Sequence, residues 1–587
     1  MSQLASPRLL RAASLTELRT AGRLVVSVGG HVICLFAEGD EVFAVDNRCP
    51  HMGFPLHRGS VADGILTCHW HHARFDLCTG GTLDQWADDL RRFPVEVEGD
   101  DVYVDPAPAD DPIAHQRRRL RDGLERNIAL VLAKATIALI EAEPAGVDVF
   151  REGVNFGVRR RGGGWFRGLT TLTCLMNLLP RLDPNDRALA LYHGLSDVAE
   201  DSAMEPPHFA LAPLPSSELE PARLGRMLRR CIEVRDEEGA ERALVSAVRS
   251  GATQAELADM LFAAATDHRY LDGGHTLDFV NKALEALDVA GWQHAEAVLG
   301  SLSAQLAGAE RMEETNAWRH PIDVVALLER AFERLPEVET KPRGGLSDRP
   351  GLVEIVLGDD PAATIDALVD ALAAGASAVD VASAVSFAAA THIARFPISN
   401  EFGDWDTALH TFTFANAVEQ GLRRSPSREL LRGVLDAAIS VYLDRFLNVP
   451  AARLPRGDTD EDQVTLLERF PQLLDLQQQV DEVGRLVASY LSTGGDADRI
   501  VAALGASLVR ENRNFHTIQC VEAATRQHEL LRNTDDARLP LIAAARYLAA
   551  HSPTTRSQRQ TFELARRLHR GDRLYEDAEL AESSAAN

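Results

Sequence analysis

Over the first hundred residues, apolar and polar positions alternate in short runs. Arg23-Leu-Val-Val-Ser-Val28, Val32-Ile-Cys-Leu-Phe36, Val42-Phe-Ala-Val45, Gly64-Ile-Leu-Thr67 and the stretch 95–104 mix β-branched and aromatic side chains, which suit a pleated, half-buried surface. Gly29-Gly30, Glu38-Gly-Asp40 and Glu98-Gly-Asp-Asp101 lie between or within these runs and predict tight turns. Residues 1–23 read as the lead-in to the first strand: they are Arg-rich, but they contain Glu17 and lack a long apolar core. Pro106-Ala-Pro-Ala-Asp-Asp-Pro112 predicts a linker. From Gln116 onward Ala, Leu, Arg and Glu dominate, and apolar residues recur at helical spacing. Breaks fall near 144–164, 206–220, 336–351 and 450–460. The pattern predicts a multidomain chain: a small all-β domain over 1–105, a linker over 106–115, a large all-α domain of diverged helical-hairpin repeats over 116–575, and a polar tail over 576–587.

The 587-residue length demands more than one core. A net charge of −26 excludes nucleic acid and anionic lipid as electrostatic partners. No apolar run is long enough to span a bilayer; the best, Ile128–Ile140, is short and is interrupted by Lys134. Seven cysteines, five of them scattered at Cys34, Cys78, Cys174, Cys231 and Cys520, make no disulfide framework and predict a reducing, cytoplasmic setting.

Chemistry is concentrated in two short segments, Cys49-Pro-His51 and Cys68-His-Trp-His71. Two thiolates and two imidazoles on paired loops are the ligand set of a [2Fe–2S] centre with mixed ligation; zinc is the competing occupant of any Cys/His quartet. The flanking sequence decides between them. Cys-Pro-His-Met-Gly-Phe-Pro-Leu, then Gly-x-Val, then Leu-Thr-Cys-His-Trp-His-His-Ala-Arg-Phe-Asp-Leu-Cys-Thr-Gly-Gly resembles the ferredoxin and oxygenase branch of the Rieske family over about residues 20–105. The resemblance implies that Cys49, His51, Cys68 and His71 bind the cluster, with His69 and His72 as polar loop residues. The respiratory branch of that family has a bridging cysteine pair and cluster-directed hydroxyls. Here Phe54 and Trp70 stand for the cysteines, and Ala73 and Phe75 for the hydroxyl residues. Fewer hydrogen bonds to sulfur imply a low-potential donor.

A Rieske oxygenase carries a β-rich catalytic domain with an acid ahead of a His-x4-His pair. This chain has no His-x4-His, and its downstream region reads as helical. Instead, a segment repeats: His275-Thr-Leu-Asp-Phe-Val-Asn281, His410-Thr-Phe-Thr-Phe-Ala-Asn416 and His516-Thr-Ile-Gln-Cys-Val-Glu522. Each follows a helix with a matching apolar stripe ending at His268, His392 or Glu511, and a weaker fourth copy holds His193. Hairpins that each present a ligand to one centre are how helical bundles build non-haem iron sites. The expectation is therefore that His193, His275, His410 and His516 converge, with His268, His392 and Glu511 as further ligands or supports. The bland reading of each histidine alone is helix-start capping. Trp405, just ahead of His410, is a core residue or the wall of an apolar substrate pocket, and His208 is a candidate for the pocket mouth.

Two functions follow. One is an iron–sulfur oxidoreductase, dioxygenase-like, whose cluster feeds a non-haem Fe(II) site that oxidises a small organic substrate of aromatic or polyketide-like kind. It is similar to the questin oxidase type of histidine-rich enzyme by analogy alone. The other is a Rieske ferredoxin-type electron-transfer protein with a helical docking scaffold and no second metal. A zinc hydrolytic site is a third. No dinucleotide fingerprint is present, so electrons are expected from a separate reductase or ferredoxin. A homo-oligomer, with transfer between subunits, fits the same scheme.

Overall fold

The computed structural model describes residues 9–107, 111–215, 219–338 and 344–574. A small all-β domain comes first, and among the described residues 23 α-helices follow it, with about 62% of the chain helical overall.

Among the described residues, ten strands make three antiparallel sheets: β1 (Leu10–Ser14), β2 (Arg23–Val28), β3 (His31–Glu38), β4 (Glu41–Asp46), β5 (Ser60–Ala62), β6 (Ile65–Thr67), β7 (Arg74–Asp76), β8 (Arg92–Phe93), β9 (Val95–Glu98) and β10 (Asp101–Val104). Their orders are β2-β3-β4-β8, β1-β10-β9 and β5-β6-β7. Strand β3 is apolar from Val32 to Ala37, and its middle residues Ile33–Phe36 are buried on both faces. Ile33 and Leu35 pack with Ala44, Phe93, Val102 and Val104. Cys34 and Phe36 point the other way, to Val45, Leu56, Leu66, Phe75 and Leu77. The supposed lead-in is itself structured. Leu10–Ser14 pairs with β10, and Ser14 then caps the helix Leu15–Ala21, whose Leu18 is buried.

Packing divides the chain into two units, 1–144 together with 560–587, and 145–559. In the first, the helices Pro112–Arg126 and Ala129–Ala142 join the strands. Residues after 560 complete it: Arg48 donates to the Asp572 carbonyl at 3.0 Å, and His569 meets Glu141 at 2.7 Å.

In the second unit the repeated segments lie in the helices His275–Ala290, Phe402–Arg424 and Phe515–Leu530. The first and third run parallel, since contacts descend in order: His275 with His516, Asp278 with Gln519, Lys282 with Glu522. A buried polar ladder fills the space between them. Lys282 Nζ donates to Glu285 at 3.0 Å and Glu522 at 2.7 Å, and Asn177 Nδ2 reaches both carboxylates. Gln527 makes the equivalent link to Asn416 and Glu419 on the middle helix. These hydrogen bonds tie the three helices together at matching positions. Among the described residues, no helix is long and apolar enough to cross a membrane.

Candidate functional site

The first site is in the β domain. The Cys49 loop closes on itself through Cys49 N to Phe54 O and Gly53 N to Cys49 O. The second loop does the same through Cys68 N to Ala73 O and His72 N to Cys68 O. These turns bring the two buried thiols into hydrogen-bond contact and set the His51 and His71 rings edge to face, 5.0 Å apart. Four peptide N–H groups aim at the sulfurs: those of His51 and Met52 at Cys49, and those of Trp70 and His71 at Cys68. The hydrogen bond from Cys49 and those amides bring the Cys68 thiol down to about 6. Burial, followed by the neighbouring His71, lowers His51 to about 4, which leaves its imidazole neutral at pH 7. Two thiols in a nest of amide donors beside two close imidazoles fit a [2Fe–2S] centre. The rings of Phe54 and Trp70, 5.9 Å apart, occupy the space where the respiratory branch has its bridge. His69 turns away to Ser60 at 2.9 Å.

One lysine belongs to this site although its sequence gave no sign of it. Lys134, on the helix Ala129–Ala142, donates to the carbonyls of Pro50 at 2.8 Å and His51 at 2.6 Å. Burial pulls its ammonium down to about 8, so it is still charged at pH 7. Close by, Asp88 is paired with Arg119.

The second site lies in the helical unit, where the ligand atoms of His275, His410 and His516 all fall within 4.8 Å of one another. His275 is placed by a run of left-handed residues before its helix. Gly274 has φ 95°, and a Cβ there would sit 2.8 Å from the Tyr270 ring and 3.0 Å from Phe414, so only glycine fits. His410 and His516 face each other Nε2 to Nε2 at 3.0 Å. Burial, reinforced by the neighbouring imidazoles, drives His275 to about 2 and His410 to about 4, so both are neutral at neutral pH, each with one unprotonated ring nitrogen. His275 Nδ1 is buried without a hydrogen-bond partner. Phe279 and Phe515 wall the group on an apolar side.

Behind His516 stands Asp406, 3.5 Å from Nδ1. Burial alone would raise this carboxyl; hydrogen bonds from His516 and Tyr547 outweigh it and hold the group below the usual carboxylate range. A carboxylate on the far nitrogen of an imidazole is the usual support of a metal-bound histidine. Asp406 went unnoticed in the sequence. Its signal was the Asp-x3-His spacing to His410, one turn apart on the same helix.

Three of the four expected histidines therefore come together, and the other expected residues lie elsewhere. His193 is in the middle of the helix Pro184–Ser202, buried, and hydrogen-bonded to the backbone of Val509. His268 is clamped between Glu313 at 2.8 Å and Glu233 at 2.9 Å. His392 is buried against Phe396, their ring centroids 5.8 Å apart. Glu511 is consumed by Arg513 at 2.8 Å, Arg556 at 2.9 Å and the backbone of Thr554 at 2.7 Å. These four are corrected to packing and ion-pair roles. Trp405 is a core residue against Phe396 and Tyr547, and His208 pairs with Glu241 at 3.0 Å.

Two thiols and two imidazoles on paired loops of a small β domain define an iron–sulfur electron carrier. The chain belongs to the Rieske [2Fe-2S] domain family, which is matched over residues 9–94. The ferredoxin component of the naphthalene 1,2-dioxygenase system of Pseudomonas aeruginosa is 32% identical over 95 residues, which is 16% of this chain and 91% of that protein. Human apoptosis-inducing factor 3 is 36% identical over 80 residues, 14% of this chain, and the chain spans only 13% of that relative's length. Among solved structures, the ferredoxin of carbazole 1,9a-dioxygenase from Nocardioides aromaticivorans IC177 is similar, with 27% identity, a TM-score of 0.16, and coverage of 17% of this chain and 98% of that one.

Proposed function

We propose that this chain is a Rieske oxidoreductase in which Cys49, Cys68, His51 and His71 hold the cluster and a three-histidine metal site in the helical unit receives its electrons. A bound cluster carries one electron at a time, and a bound non-haem iron supplies dioxygen activation for oxidising an organic substrate. The observation that carries the reading is the convergence of His275, His410 and His516 from three separate helices. The neutral imidazoles of His275 and His410 offer nitrogen donors suited to iron, Asp406 orients His516, and Phe279 with Phe515 keeps water from one side and favours an apolar, aromatic guest.

Electrons are proposed to come from a separate reductase or ferredoxin, as the dioxygenase-system relatives suggest, and to cross within the chain or between copies in a homo-oligomer. The cysteines, none of them in a disulfide, suit a reducing cytoplasm. The ferredoxin relatives favour the second reading, an electron-transfer protein with a helical docking scaffold and no further metal.

Iron counting separates the two. Purified full-length chain is expected to hold a third iron with a Mössbauer signal distinct from the cluster. His275→Ala with His410→Ala should remove that iron and leave the cluster spectrum intact. If the double variant keeps the same iron content and spectra, the helical site is abandoned.

A further inference from the structure

We propose that Lys134 is a positioning residue that raises the reduction potential of the cluster by acting through two peptide groups of the Cys49 loop. The inference rests on the ligand set proposed above. The two carbonyls that accept from Lys134 belong to the Pro50–His51 and His51–Met52 peptides. The N–H groups of those same two peptides donate to the Cys49 sulfur. One ammonium therefore sits at the oxygen end of both amides whose hydrogen ends point at the cluster ligand. A cation on a carbonyl oxygen polarises the amide, makes its N–H a stronger donor, and strengthens the bond on the far side.

Reduction adds one electron from an external reductant to the cluster, and negative charge on the sulfurs rises. Stronger amide donors and a nearby positive charge both favour that reduced state. Asp88, the acid that interacts with Lys134, is engaged with Arg119, so the ammonium is not simply neutralised by it. The effect runs against the low potential implied by Ala73 and Phe75, residues that offer no hydroxyl to the sulfurs. The helix Ala129–Ala142 supplies from outside the β domain what the loops themselves lack. It also accounts for a charged residue in the middle of an otherwise apolar segment.

The test is an anaerobic redox titration of the full-length chain with dithionite and mediators, followed by visible circular dichroism and electron paramagnetic resonance. Lys134→Gln keeps an N–H donor to the carbonyls but loses the charge; Lys134→Met loses both; Lys134→Arg keeps both. The reduction equilibrium constant is expected to fall about tenfold or more in the Met and Gln variants, a drop of about 59 mV per tenfold for a one-electron couple. The Arg variant should stay within about threefold of wild type. Unchanged potentials in cluster-loaded Met and Gln variants overturn the inference. Failure of both to load a cluster also overturns it, because Lys134 is then needed only to fold the loop. A wild-type chain with no Rieske spectrum instead refutes the ligand set.

Discussion

Replacing Asp406 with asparagine tests the helical site without touching any of its three imidazoles. The side chain keeps its shape and can still accept from Tyr547, which donates to it in the native protein. What is lost is the negative charge 3.5 Å from His516 Nδ1 and 3.6 Å from His551 Nε2. Carboxylates that support a metal-bound histidine are worth about 10–100-fold in metal affinity, or about 1.4–2.7 kcal/mol. The 3.5 Å contact is long for a charge-assisted hydrogen bond, so the lower end applies: about tenfold. The assay is titration of cobalt(II) into chelator-stripped full-length protein, read by the visible ligand-field bands, with thermal melting as a control for fold. Asp406→Asn should bind cobalt about tenfold more weakly at unchanged melting temperature, and His516→Ala far more weakly still. Equal cobalt affinity for wild type and His516→Ala would show that the imidazoles are not ligands.

Lys282→Ala leaves Glu285 and Glu522 buried without their hydrogen-bonded cation and with the attraction of Arg526 alone, so urea unfolding should show a loss of about 3 kcal/mol; a loss under 1 kcal/mol would mean the ladder does not hold the helices. Gly274→Ala forces a Cβ into the Tyr270 ring at φ 95° and should cost about 1–3 kcal/mol, with weaker cobalt binding because His275 follows directly; wild-type stability would contradict the close approach. Burial lifts the Asp444 carboxyl to about 7, against the hydrogen bond from Thr411. Between its unfolded value near 4 and that point, the folded state keeps a proton the unfolded state has lost, so this group's contribution falls as pH rises through the window. Asp444→Asn should therefore melt above wild type at pH 8 and level with it near pH 4; the same gap at both pH values would rule out the titration as its cause.

The β domain and the loop chemistry were legible because both are local. A turn, an alternating strand and a Cys-x-His spacing are each written within a few residues. The three convergent histidines were legible for a different reason: repetition marks equivalent places in equivalent hairpins, so their neighbours need not be known. The same logic failed for His268, His392 and Glu511, which lie at the ends of the preceding helices. Their side chains found partners from far along the chain, such as Glu313 for His268 and Arg556 for Glu511. Nothing in the local sequence announces such partners. His193 was misread because its imidazole is buried in the packing of the helical unit and engaged by the backbone of Val509, a partner from far along the chain. Lys134 read only as an interruption of an apolar run, since the carbonyls it serves are more than eighty residues earlier.

The contacts of Arg48 with Asp572 and of Glu141 with His569 carry a consequence for synthesis. The electron carrier is discontinuous in the chain: its strands are made first, and the residues that finish it come only after all of 145–559. A ribosome releases the cluster loops long before the segment that closes over Gly53, where Leu568 lies against the ligand loop. Vectorial, domain-by-domain synthesis thus completes the helical unit before the last segment of the carrier's unit exists. Until that segment is made, the flank of the β domain beside Gly53 lacks the cover that Leu568 gives it in the finished protein.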